Sequence, residues 1–92
     1  MNEARLHLLV SGRVQGVWFR KTIFDGVQGM ALRGFVRNLA DGRVEILAEG
    51  ERDVLETVIL LARKGSPMSH VEEVFFSWET AQGDLGPFVI QR

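Results

Sequence analysis

The 92-residue chain contains no cysteine, which excludes disulfide staples, thiolate metal sites and a cysteine nucleophile. Its two histidines, His7 and His70, are too sparse a pair to suggest an imidazole metal site. Glu49, Glu51 and Asp53 lack calcium-loop spacing and read as helix-start charge complementing the dipole. No apolar run approaches the ~20 residues of a membrane span. The opening Met1-Asn2-Glu3-Ala4-Arg5 lacks the basic start and long apolar run of a signal peptide. The expectation is a cytoplasmic protein with no metal, no cofactor and no membrane association. A Walker-type Gly-x-x-x-x-Gly-Lys-Ser/Thr sequence is also missing.

Charge of one sign is nowhere in large excess. The net charge is −1, although residues 1–37 carry six basic against two acidic side chains and residues 38–92 carry five against ten. Broad duplex binding needs an extended basic face, so nucleic acid is not an expected partner. Phe75, Phe76 and Trp78 resemble an RNA-binding aromatic platform only superficially. Phe76 and Trp78 alternate with Val74 toward one face, which reads as core.

What is present is a chain 46% hydrophobic, enough for one core and a single domain over residues 1–92, expected to act as a monomer. Leu6 to Val10 reads as a strand and Lys21 to Met30 as a weak helix, because Gly26 and Gly29 each cost ~1 kcal/mol in a helix interior. Gly34 to Leu39 and Arg43 to Ala48 read as a β-hairpin around Asp41-Gly42, a pair suited to tight turns. Arg52 to Lys64 is the clearest helix, with Val54, Leu55, Val58, Ile59 and Ala62 on one face and Gly65 and Pro67 to end it. Val71 to Glu79 and the short Phe88 to Ile90 read as strands. The order β-α-β-β-α-β predicts an α+β, ferredoxin-like sandwich, an antiparallel sheet with two helices on one face.

The most informative stretch is Ser11-Gly12-Arg13-Val14-Gln15-Gly16-Val17-Trp18-Phe19-Arg20, between the first strand and the first helix. Glycines at 12 and 16 allow the positive-φ turns that gather backbone N–H groups into a bowl. A helix beginning just beyond adds the positive end of its dipole, and Arg13 and Arg20 bracket the turn. Together these describe an anion cradle sized for phosphate. Trp18 and Phe19 read as core anchors beneath it.

Gly-Arg-Val-Gln-Gly-Val-Trp-Phe-Arg resembles the signature of the acylphosphatases, which hydrolyse carboxyl-phosphate anhydrides. Gly34-Phe35-Val36-Arg37-Asn38-Leu39-Ala40-Asp41-Gly42-Arg43-Val44-Glu45 resembles that family's second hallmark, and Gly65-Ser66-Pro67 with Val71 is a weaker third match. The resemblance implies the same ferredoxin-like fold and a small-molecule acyl phosphate as substrate. It also implies roles. Backbone amides of Arg13 and of Gln15, Gly16, Val17, Trp18 and Phe19 bind the phosphate, Arg20 grips its oxygens, and Asn38 orients the attacking water. Taken singly, the glycines would mark an ordinary turn, Arg20 a solvated side chain and Asn38 a turn former. The two motifs together favour the site.

Two other classes stand beside the enzyme: a non-catalytic phosphate- or carbamoyl-phosphate-binding module, and a ferredoxin-like regulatory or nucleic-acid domain sharing only the fold. The chain departs from the family at Gly26 to Leu32, where Ala31 takes the place of a helix-ending glycine. Either Ala31 adopts a strained positive φ, or the helix ends early with Gly29 as its cap.

Overall fold

The structure, a computed structural model, describes residues 2–92. Its elements are β1 (Glu3–Arg13), α1 (Phe19–Gly26), β2 (Arg33–Asn38), β3 (Val44–Glu51), α2 (Arg52–Lys64), β4 (His70–Glu79) and β5 (Val89–Gln91). They form a five-stranded sheet in the order β4-β1-β3-β2-β5. Placing β3 between β1 and β2, and β1 between β3 and β4, makes two interlocked split β-α-β units, the expected ferredoxin-like plan.

The strand periodicity sets what each face carries. Leu6, Leu8 and Val10 of β1, Val36 of β2, and Val44, Ile46 and Ala48 of β3 are fully buried on the helix side. Opposing them are Ile23 and Val27 from α1 and its end, and Leu55, Val58, Ile59 and Ala62 from α2. Each such side chain is worth about 1.5–3 kcal/mol on burial, alanine less. Helix α2 lies over β1, β3 and β4, while α1 lies over β2 and β5. Gly26 lets the two helices meet closely, since a Cβ there would press on the Leu61 methyls. Its cost in helix propensity is the cost of that approach.

Several elements differ from the sequence reading. The four longer strands are antiparallel, but β5 pairs parallel with β2, from Phe35↔Val89 to Arg37↔Gln91, so the sheet is mixed. A strand that returns over the sheet's end after β4 enters β2's free edge from the same side as β2 itself. Helix α1 stops at Gly26, well short of Met30. The helix ends early but is capped by Val27 rather than Gly29, and Ala31 does adopt a positive φ, 56, as Gly29 does at 82. Phe76 is 42% exposed because β4 is an edge strand, although Val74 and Trp78 on the same face do pack on the core.

Glu49 is not helix-start charge. It ends fully buried near the C-terminus of β3, where its carboxylate accepts from Arg5 Nε (2.7 Å) and the amides of Gln82 (2.8 Å) and Gly83 (3.1 Å). Arg5 reaches on to Asp84. Burial, the largest single influence, pushes the Glu49 carboxyl up. The Gln82 amide, Arg5 and the Gly83 amide together outweigh it and hold the group below the ordinary carboxylate range.

Candidate active site

The segment between β1 and α1 is irregular but firmly anchored. Val14, Val17 and Phe19 turn inward and are almost completely buried, while Gly16 and Trp18 turn outward. Gly16 has φ 73 and Trp18 has φ 67, ψ 16. A left-handed tryptophan is uncommon and costs roughly 1–2 kcal/mol, which persists only where the surroundings impose it. Two side chains supply that constraint. Gln15 Nε2 donates to the carbonyls of Leu39 (2.8 Å) and Arg43 (2.9 Å), tying the loop to the β2–β3 hairpin. From beneath, the buried Ser66 hydroxyl donates to the Val17 carbonyl (2.5 Å).

Trp18 is the residue preceding α1, and its carbonyl accepts from both the amide (3.0 Å) and the hydroxyl (2.8 Å) of Thr22. The amides of Phe19, Arg20 and Lys21 therefore lie in the first turn with no intrahelical acceptor, at the positive end of the helix. Arg20 sits in that turn, and among the described residues no carboxylate forms an ion pair with it. Gly16, Trp18, Phe19 and Arg20, with Val14, Lys21, Ile90 and Arg92, line a cleft of about 390 Å³. Such a volume is ordinary for a small-molecule site.

Asn38 closes β2 opposite Val44, immediately before the turn that Gln15 grips. Its Oδ1 is buried and, among the described residues, has no hydrogen-bond donor. A buried acceptor left unpaired costs ~1–3 kcal/mol.

The predicted site residues thus divide into four groups. Gly16, Trp18, Phe19 and Arg20 share one cleft. Gln15 and Val17 hold its loop through a side chain and a carbonyl, and Asn38 ends the strand beside the gripped hairpin. Arg13 is the last residue of β1, paired with His70, and does not line the cleft.

Two readings need correction. Trp18 is 68% exposed and anchors nothing, because its left-handed backbone turns the indole outward; Phe19 alone fills the core. Gly12 does not shape the bowl. It lies in β1 at a bulge against β4, where a Cβ would strike the His70 carbonyl. Sequence reasoning places Ser66 only in the weak Gly65-Ser66-Pro67 motif, which is the one local signal of its bond to the loop. Arg92, in the cleft wall, had no motif to announce it.

The fold and cleft together define a class: a small split β-α-β sandwich with an amide-rich turn, a helix start and an unpaired arginine around one compact opening. The sequence profile of the acylphosphatase family matches residues 6–90. The acylphosphatase of Anaeromyxobacter sp. (strain Fw109-5) is 49% identical over 89 residues, covering 97% of this chain and 96% of that protein. Solved structures of acylphosphatases from Bacillus subtilis and Coxiella burnetii superpose with TM-scores of 0.90 and 0.87, at 35% and 36% identity. The first covers 97% of this chain and 99% of its own, the second 98% and 94%. The chain belongs to the acylphosphatase family and has the activity of an acylphosphatase hydrolase.

Proposed function

We propose that this chain, acting as one monomeric cytoplasmic domain over residues 1–92, hydrolyses small acyl phosphates without a metal or cofactor, by in-line attack of water. The phosphoryl group sits at the Gly16–Arg20 turn. Backbone amides of the Gln15–Phe19 turn donate to its oxygens, without Arg13, and the Arg20 guanidinium binds two of them with its planar fork. Fixed donors suffice here, because phosphoryl transfer needs mainly positioning and charge stabilisation. The water oxygen bonds to phosphorus as the bond from phosphorus to the acyl oxygen breaks. The electron pair leaves on the carboxylate, and the water's protons pass to solvent and the phosphate product. A carboxylate of pKa roughly 4–5 departs unprotonated, so no general acid is required.

The observation that carries this reading is the cleft at the Gly16–Arg20 turn, where the start of α1 and an arginine that forms no ion pair among the described residues line one opening. Asn38 ends β2 on the hairpin that Gln15 fastens to this loop, and its side-chain amide orients the attacking water. The test is hydrolysis of benzoyl phosphate in excess EDTA, with Asn38→Ala beside the parent. Turnover should persist in EDTA and kcat should fall about 10²–10³-fold in the variant. Loss of activity in EDTA would refute metal independence. An unchanged kcat would demote Asn38 to a hairpin residue.

A further inference from the structure

The cleft is larger than a phosphoryl group fills, and two residues of its outer wall, Ile90 and Arg92, lie outside the acylphosphatase motifs. Because β5 runs parallel to β2, with Arg37↔Gln91 the last pair, it carries Ile90 and Arg92 to the cradle end of the sheet. Helix α1 packs across β5 from the other side. The mouth therefore has an indole (Trp18, 68% exposed), an aliphatic side chain (Ile90) and two cations, Lys21 and Arg92, beyond the cradle's Arg20. No Asp or Glu lines it. Lys21 is engaged, its Nζ 3.0 Å from Asp25 Oδ2, whereas among the described residues Arg92 forms no ion pair.

Building on the proposed seat of the phosphoryl group, we infer that this mouth is the acyl-group subsite and selects acyl phosphates that carry a second anionic group on a flat or aliphatic body. In-line displacement puts the acyl oxygen opposite the attacking water. With the phosphoryl group at the Gly16–Arg20 turn, the rest of the cleft, toward Ile90 and Arg92, is left for the acyl body. The acyl body then lies along Trp18 and Ile90, apolar surfaces open to contact it, and a carboxylate or phosphate at its far end meets the Arg92 guanidinium. Arginine suits either anion through its fork. The site is solvent-exposed, so the pair contributes selectivity of modest size rather than the bulk of binding.

The test compares benzoyl phosphate with 4-carboxybenzoyl phosphate, which share a reacting centre and differ by one remote carboxylate. The readout is the ratio of their kcat/KM values, so intrinsic reactivity cancels between variants. Arg92→Gln removes the guanidinium and nothing of the backbone. It should lower the ratio about two- to fivefold, through KM, matching an exposed ion pair. Arg92→Lys should retain most of the ratio, and added salt should bring the parent's ratio toward that of Arg92→Gln. An unchanged ratio in Arg92→Gln, or a parent ratio insensitive to salt, would overturn the subsite while leaving the hydrolase intact. Failure of the parent to hydrolyse benzoyl phosphate at all would instead sink the underlying functional reading, and this inference with it.

Discussion

The two ends of the sheet treat charge in opposite ways. Where β3 ends and β1 begins, the buried Glu49 carboxylate receives Arg5 and two backbone amides, and Arg33 approaches at 3.7 Å. Donors and acceptors there are matched, and the loop through Gln82 and Gly83 is fixed by them. At the other end, where β1 leaves the sheet and β2 finishes, Arg20 forms no ion pair and Asn38 Oδ1 has no donor among the described residues, and Trp18 keeps a left-handed backbone. The same small core supports both. Polar groups are matched within the chain at one end, and at the other they and a strained backbone are left at the proposed site.

That contrast can be broken from either side. The largest effect should come from Arg20→Lys, which keeps the charge and removes the fork. We expect kcat/KM for benzoyl phosphate to fall about 10²–10³-fold, with thermal stability hardly changed, because Arg20 has no internal partner to lose. Activity within about twofold of the parent would show that the cradle needs only a point charge.

At the opposite end Glu49→Gln should do the reverse. Uncoupling a buried ion pair costs about 3–5 kcal/mol, so the melting temperature at pH 7 should drop by more than about 10 °C. Turnover measured well below the new transition should persist. The pH dependence follows from the sign of the shift. The folded Glu49 carboxyl lies below its unfolded value near 4.5, so the parent's extra stability is present above that range and is lost as pH falls through the folded value. The stability gap between parent and variant should therefore narrow in acid. A gap that stayed constant down to pH 3 would mean the carboxylate's charge contributes nothing.

This division also marks what could be read from the residues in advance. Helix α2 was legible to its ends, since its apolar stripe, Lys64 and Gly65 all agree with the observed Arg52–Lys64. The cradle's position and Asn38 came from motifs that are contiguous in the chain. Glu49 was not legible. It alternates on the outward face of β3, and only the return of residues 82–84 buries it. The parallel sense of β5 and the arrival of Arg92 depend on that same return, which no local pattern encodes. Trp18 misled for a different reason. A large aromatic beside Phe19 has the chemistry of a core anchor, and a single backbone torsion turned it outward.

The smallest expected effect tests whether strain is confined to the working end. Ala31, at φ 56, is exposed and far from the cleft-lining residues in sequence, so its strain serves no visible contact. Glycine removes the Cβ clash that makes this region costly, roughly 1–2 kcal/mol for an L-residue, and loses no packing. Against that stands the greater freedom glycine gives the unfolded chain, about 0.4–1 kcal/mol. The difference favours Ala31→Gly by about 0.5–1 kcal/mol, or a few degrees in melting temperature for a chain of this size. Activity should not move, because the α1–β2 connection does not contribute to the cleft. A lowered melting temperature would mean that the connection tolerates the left-handed alanine without strain, leaving Trp18 as the strained non-glycine residue, at the one place where an outward turn shapes the site.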